Sequence, residues 1–259
     1  MKVFAVGDVV GTSGLEFLRK ILPNIKQEYG VDVCIVNGEN SADGNGITPV
    51  SCEHIFTSGA DVITTGNHAY RRKEMYEFFD TNEFVLRPIN FPEGTPGRGR
   101  VIVDKGICKV AVINLMGTMF MDPLDNPFSV IDKVLESEEI KKCKIKIVDF
   151  HAETTSEKRA MGFYLDGRVS VLFGTHTHVQ TADEQVLENG TGYITDLGMT
   201  GTFNSVLGVN PKIVIDKFKY NMPARFDWIR GESILCGCIF DIDDKTGNCM
   251  AVTRIQIKE

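Results

Sequence analysis

The stretch Val33-Cys34-Ile35-Val36-Asn37-Gly38-Glu39-Asn40 decides the fold. Its apolar run reads as a buried strand, and the polar turn after it sets a carboxylate and two amides at the strand's carboxyl end. The same grammar occurs on both sides. Met1-Lys2-Val3-Phe4-Ala5-Val6 runs into the turn Gly7-Asp8, and Asp61-Val62-Ile63-Thr64-Thr65 runs into Gly66-Asn67-His68. Helices are predicted between them. A capping box at Ser13-Gly14-Leu15-Glu16 opens the first, whose apolar stripe Leu15, Leu18, Leu22 and Ile25 stops near Gly30. Thr48-Pro49 opens a second that ends at Gly59, and Arg71 to Phe79 predicts a third. Strand, polar loop and helix thus recur three times, which requires parallel strands with crossover helices. Ligands in such sheets bind at the carboxyl ends of the strands.

The remainder continues the pattern less regularly. Lys109–Asn114 and Lys144–Phe150 read as strands, and Asn126-Pro127 opens a helix carrying Val130, Ile131, Val134 and Leu135. Thr154-Thr155-Ser156-Glu157 is a second capping box. The segments 41–46 and 87–100 read as loops, the latter placed to cover a site. Ile234–Ile242 and Cys249–Ile257 make an antiparallel hairpin. The expectation is one α/β domain over residues 1–259.

A net charge of -7 argues against binding nucleic acid through a broad basic face. It leaves open a metal-lined pocket for a single nucleotide, because bound cations dominate a local field. The seven cysteines are odd in number and scattered, and Cys236-Gly237-Cys238 lacks the second pair of a structural zinc site. No apolar run approaches the ~20 residues of a membrane span, and no targeting pattern precedes the first strand. A reduced, cytoplasmic protein is expected, with homo-oligomerisation open.

Four of the five histidines follow apolar runs. His68 ends the third unit, His151 follows Ile147-Val148-Asp149-Phe150, and Gly174-Thr175-His176-Thr177-His178 follows Val169-Ser170-Val171-Leu172-Phe173. In an extended segment His176 and His178 point the same way. His54, on a helix, reads as structural. With Asp8, Glu39, Asn40 and Asn67, these strand-end residues exceed what one metal ion needs, and suit two ions sharing a bridging group. Oxygen and nitrogen donors without thiolate suit iron, manganese or zinc. Two ions about 3.5–4 Å apart clamp both oxygens of a phosphoryl displacement. Each residue also has a plainer reading. Asp8 can cap a helix, the asparagines can serve turns, and Arg71, Arg72 and Arg98 can be solvated. Core packing is the default for Met116 to Leu124, with a pocket wall or subunit contact as alternatives.

Gly7-Asp8, Gly38-Glu39-Asn40, Gly66-Asn67-His68, His151 and Gly174-Thr175-His176-Thr177-His178 resemble, in order, the motifs of the calcineurin-like metallophosphoesterases. The chain resembles most its bacterial YmdB-like subfamily. Two positions depart from the wider superfamily. Asp8-Val9-Val10 stands where Asp-x-His is usual, and Glu39 stands where a bridging aspartate is usual. The subfamily shows both departures and implies Asn40 as the replacement ligand. The resemblance implies a metallophosphoesterase-type α/β sandwich with a dinuclear site at the carboxyl edge of the strands. Asp8, Asn40 and His178 would hold one ion, Asn67, His151 and His176 the other, with Glu39 bridging. His68 would donate a proton to the leaving oxygen after attack by a metal-bound hydroxide. The implied cofactor is two metal ions, most readily iron, and the implied substrates are phosphodiesters, 2′,3′-cyclic nucleotides above all. Alternatives are a phosphomonoesterase or protein phosphatase on the same centre, a non-catalytic metal-binding regulator, and a di-iron redox enzyme. The last is disfavoured because no Glu-x-x-His pair is present.

Overall fold

Two β-sheets lie face to face, and helices cover both outer faces. The computed structural model describes residues 1–43 and 45–259; Gly44, inside the loop expected over 41–46, lies outside the described residues. In chain order the elements are β1 (Lys2–Val6), β2 (Asp8–Val9), α1 (Gly11–Tyr29), β3 (Val33–Asn37), α2 (Pro49–Ser58), β4 (Val62–Thr64) and α3 (Met75–Thr81). There follow β5 (Arg100–Asp104), β6 (Lys109–Met116), α4 (Pro127–Glu136), α5 (Glu138–Lys141), β7 (Ile145–His151), α6 (Thr155–Leu165) and β8 (Val171–Thr175). The chain closes with β9 (Gln185–Val186), β10 (Gly192–Ile194), β11 (Met199–Thr202), α7 (Pro211–Tyr220), β12 (Ser233–Ile242) and β13 (Cys249–Lys258).

One sheet runs β2-β11-β12-β1-β3-β4, with β13 also paired to β12; the other runs β5-β6-β7-β8-β10-β9. β1, β3 and β4 are mutually parallel, as are β6, β7 and β8. Side-chain alternation explains the layers. Val3, Ala5, Val33 and Ile35 face Val110, Val112, Ile145 and Ile147 across the inter-sheet core. The intervening residues Phe4, Val6, Cys34 and Val36 face Leu18, Leu22 and Ile55 of α1 and α2. In the second sheet Ala111, Ile113, Val148 and Phe150 pack on Ile131, Met161 and Leu165 of α4 and α6. Strands buried on both faces must be apolar at every position, which is why these strands read as runs rather than alternations. Each such fully buried aliphatic side chain contributes about 1.5–3 kcal/mol.

Several helix ends match the sequence. Thr48 and Ser51 form a reciprocal capping box on α2, and the Asn126 side chain accepts from Phe128 N and Ser129 N at α4. α1 ends on Gly30 and α2 on Gly59, both left-handed. The hairpin β12–β13 is one residue longer at each outer end than expected.

Other expectations are corrected. The box at Ser13–Glu16 does not form, because α1 begins at Gly11. Val10 is fixed by its N–H to Thr200 O and by pairing with Asn40, so the chain turns into the helix earlier. Asp43, from a distant loop, accepts from Thr12 N in place of a local cap. Residues 71–74 are not helical. Turn bonds from Ala69 to Gly66 and from Arg71 to His68 hold this stretch, and α3 starts at Met75. At α6 only half of the second box exists. Thr154 accepts from Glu157 N, but the Glu157 carboxylate turns away to Thr118 N and Met119 N. The loop it anchors is not core throughout, since Met119 and Phe120 are exposed.

Candidate metal centre

The carboxyl ends of β3, β4, β7 and β8 meet where the two sheets adjoin, and every strand-end residue singled out above lies there. Asp8 sits in the two-residue strand β2, not in a turn, with β11 alongside. Glu39 and Asn40 follow β3, Asn67 and His68 follow β4, and His151 is the last residue of β7. His176 and His178 come just after β8. They are not extended: their φ values are 101° and 63°. This left-handed backbone is uncommon for residues other than glycine. The result is that the two imidazoles part company, and the shared direction expected of an extended segment is lost.

His176 turns toward His151. Its Nδ1 lies 3.0 Å from His151 Nε2. The same Nε2 lies 3.0 Å from Asn67 Oδ1 and 3.2 Å from Glu39 Oε1. Two imidazoles, an amide and a carboxylate thus aim lone pairs or a single proton at one point. Glu39, His151 and His176 each offer a ligand atom, all within 4.8 Å of one another. His178 turns the other way. Its Nε2 is 3.2 Å from Asn40 Nδ2 and 3.6 Å from Asp8 Oδ1. Glu39 Oε1 touches this second group as well, accepting from Asn40 Nδ2 at 3.1 Å. Gly66 makes room for the first group: a Cβ there would collide with the His151 ring and with Glu39 Oε2.

Burial makes these contacts costly unless they are compensated. Asp8, Glu39 and His151 have no solvent exposure. Asp8 Oδ1 and His178 Nδ1 are buried without a hydrogen-bond partner among the described residues. Burial pushes the Asp8 carboxyl up, but neighbouring His178 and the charge of His151 outweigh it and hold it below its ordinary value. Glu39 is likewise pushed up by burial and drawn further down, well below the carboxylate range, by His151 and His68. Burial lowers His151, yet Glu39 raises it to about 9. His176 goes the other way, to about 4, through burial and the charge of His151. An orphaned carboxylate oxygen and acceptors crowded on acceptors fit cations. The oxygen and nitrogen donors suit divalent metal ions.

A supporting shell aims the donors. His151 Nδ1 is 2.9 Å from Thr175 Oγ1, which donates to Asp149 Oδ1 at 2.7 Å. Asp149 also accepts from Asn37 Nδ2 and Thr64 Oγ1. Such a chain fixes the imidazole with Nε2 toward the centre. Burial raises Asp149 to about 6. Glu153 Oε2 is 2.9 Å from His176 Nε2. The sequence reading missed Asp149 and Glu153. Both lie two residues from His151, Asp149 on the same strand face, and that spacing was the available signal.

His68 is part of the cluster but is differently placed. Its Nδ1 is 2.9 Å from Asn40 Oδ1 and its side chain remains 26% exposed, so it reaches the rim. His54 is exposed on α2, outside the centre. Arg72 donates to the Asn45 and Asp43 carbonyls, and Arg98 pairs with Glu83.

Fold and site together define a metallophosphoesterase-type hydrolase. A 5′-nucleotidase precursor from Thermus thermophilus shares the fold with a TM-score of 0.59 at 12% identity, covering 99% of this chain and 54% of its own. The chain matches the family described as YmdB-like protein over residues 4–255, and it belongs to that family. It is 45% identical over 259 residues to the 2′,3′-cyclic-nucleotide 2′-phosphodiesterase of Bacillus subtilis (strain 168), covering 100% of this chain and 98% of the relative. A crystal structure of a novel phosphatase from Mycoplasma pneumoniae superposes with a TM-score of 0.94 at 34% identity, covering 100% of this chain and 94% of that one. The chain is an enzyme, a metal-dependent phosphodiesterase. Among the described residues no helix is long and apolar enough to cross a membrane.

Proposed function

We propose that the chain hydrolyses 2′,3′-cyclic nucleotides at a dinuclear centre. The observation that carries the reading is Glu39 Oε1, which contacts His151 Nε2 on one side and Asn40 Nδ2 on the other. A carboxylate shared by two donor groups suits a bridge. Asn67, His151 and His176 would hold one ion, and Asp8, Asn40 and His178 the second. Iron is the first expectation, with manganese and zinc suited to the same donors. Two cations bound there would supply positive charge to offset the negative charge that builds on the phosphoryl oxygens in the transition state. The substrate class is taken from the name of the Bacillus relative. The free cysteines, six of the seven buried, suit a reduced, cytoplasmic setting.

The chain's own residues then divide the remaining work. The Asn40 amide spans His178 Nε2 and His68 Nδ1, and the two ends of an amide are interchangeable in such contacts. With a cation between Glu39 and His178 the amide oxygen would take the place of Nδ2 at that end, giving up the donation to Glu39 Oε1, and the amide N–H would donate to His68 Nδ1. The His68 proton would then reside on Nε2, the ring nitrogen that Asn40 does not engage. From there it can pass to a leaving alkoxide.

His68→Ala should keep both metals and lose about 10²–10⁴-fold in rate on a cyclic nucleotide, whose ribose alkoxide needs a proton. On bis-p-nitrophenyl phosphate the loss should be small, because p-nitrophenolate leaves unaided. Equal losses on both substrates with metals retained would remove His68 from this role, and loss of a metal would make it a ligand. Including p-nitrophenyl phosphate in the assay separates diesterase from monoesterase activity.

A further inference from the structure

A cleft with a cavity volume of 850 Å³ is walled by Asp43, Arg71, Arg225, Phe226, Asp227 and Trp228, among others. Three connections tie it to the centre. Arg71 lies in the turn that begins at His68 and donates its N–H to the His68 carbonyl at 3.0 Å. Asp43 follows Asn40 by three residues. Trp228 rests its ring edge against Gly208, where a Cβ would come 2.8 Å from Cζ3 and 2.5 Å from Val10 Cγ1; Val10 in turn pairs with Asn40. Gly208 has a φ of 95°, and no side chain fits between the indole and Val10.

The aromatic wall is held in place. Trp228 bridges to Val209, Ile229 N donates to Gly208 O, and Asn210 N donates to Asp227 O. Lys217 Nζ sits 4.6 Å from the centre of the Phe226 ring, which is partly exposed. The arginines are uncommitted. Among the described residues the arginine ion pairs are those of Arg98, Arg100, Arg168 and Arg254, which leaves Arg71 and Arg225 without one. The Asp43 carboxylate is occupied by Thr12 N and Oγ1. Asp227 offsets part of the remaining positive charge, so the cleft does not suit a bare polyanion. Aromatic faces beside guanidinium groups suit a nucleoside carrying one phosphate.

We infer that this cleft is the nucleoside subsite of the enzyme, with the base stacked on Trp228 and Phe226 and Arg71 directed at the phosphate. The inference rests on the nucleotide reading above and adds the residues that would select for it. A nucleotide would be held by its base as well as by its phosphate.

Trp228 is the single tryptophan of the chain, so its fluorescence reports on the cleft without any substitution. Adenosine 3′-monophosphate should quench the metal-loaded wild type saturably, and inorganic phosphate should not. Phe226→Ala and Arg71→Ala should each weaken that binding about tenfold. In assays, Trp228→Ala should raise KM for 2′,3′-cyclic AMP about tenfold, leave glycerol 1,2-cyclic phosphate unchanged, and retain its metals; Trp228→Phe should restore most of the difference. If wild type hydrolyses 2′,3′-cyclic AMP while the nucleotide leaves the fluorescence unchanged, the subsite is wrong and the reaction stands. Equal KM changes on both substrates would also overturn it. Saturable quenching in an enzyme that hydrolyses neither cyclic phosphate would support the subsite and sink the reaction.

Discussion

Two buried charged clusters lie on either side of the segment 176–178, and they are built on opposite principles. Lys158 and Asp196 are both fully buried and 2.6 Å apart. The Asp196 carboxylate also accepts from Thr177 N, Thr177 Oγ1 and Gly198 N, so its oxygens are well supplied with donors. Burial raises its carboxyl, and Lys158 opposes that rise. At the centre, by contrast, Asp8 Oδ1 has no hydrogen-bond partner among the described residues and nitrogen faces nitrogen between His151 and His176. A buried cluster whose donors match its acceptors is scaffold; one with a surplus of acceptors is a place for cations. The first cluster serves the second. By gripping Thr177 it fixes the backbone whose left-handed residues send His176 and His178 to different sides.

The largest expected effect tests the acceptor-rich cluster. Glu39→Gln keeps the shape but removes the charge between the two donor groups. It should lose at least one metal and activity on the order of 10³-fold, along with the part of its thermal stability that a chelator removes from wild type. Wild-type turnover with full metal content would show that Glu39 does not bridge.

Lys158→Met tests the matched cluster. Leaving Asp196 buried and unpaired should cost about 3–5 kcal/mol. Because this cost belongs to the scaffold, denaturation should show it equally with and without chelator. A loss that appears only in the metal-loaded protein would erase the distinction between the clusters.

The smallest effect sharpens the boundary. Glu153 is half exposed and touches His176 on the side away from the centre. Glu153→Gln should weaken metal affinity or activity by about 10–100-fold, with folding stability within about 0.5 kcal/mol of wild type. An unchanged metal affinity would make the contact incidental.

Much of this was legible in the sequence, and the reasons are local. Strands buried on both faces announce themselves as apolar runs, and Gly38-Glu39-Asn40 or Gly66-Asn67-His68 follow directly from them. The strand-end donors are therefore marked in the sequence itself. What stayed hidden depends on distant segments. Asp43 caps α1 across the chain, Glu157 leaves its own helix start to hold the 118–119 loop, and Lys158 meets Asp196 from 38 residues away. The divergence of His176 and His178 has a nearer cause. Alternation along a strand ends where the strand ends, and β8 stops at Thr175.

The division of the centre into two ion sites is tested most directly by anomalous scattering from crystals of the metal-loaded enzyme and of two variants. Wild type should show two peaks about 3.5–4 Å apart, one among Asn67, His151 and His176, the other among Asp8, Asn40 and His178, with Glu39 between. His176→Ala should lose the first peak and His178→Ala the second. A single peak in wild type, or loss of the same peak in both variants, would contradict the two-site centre.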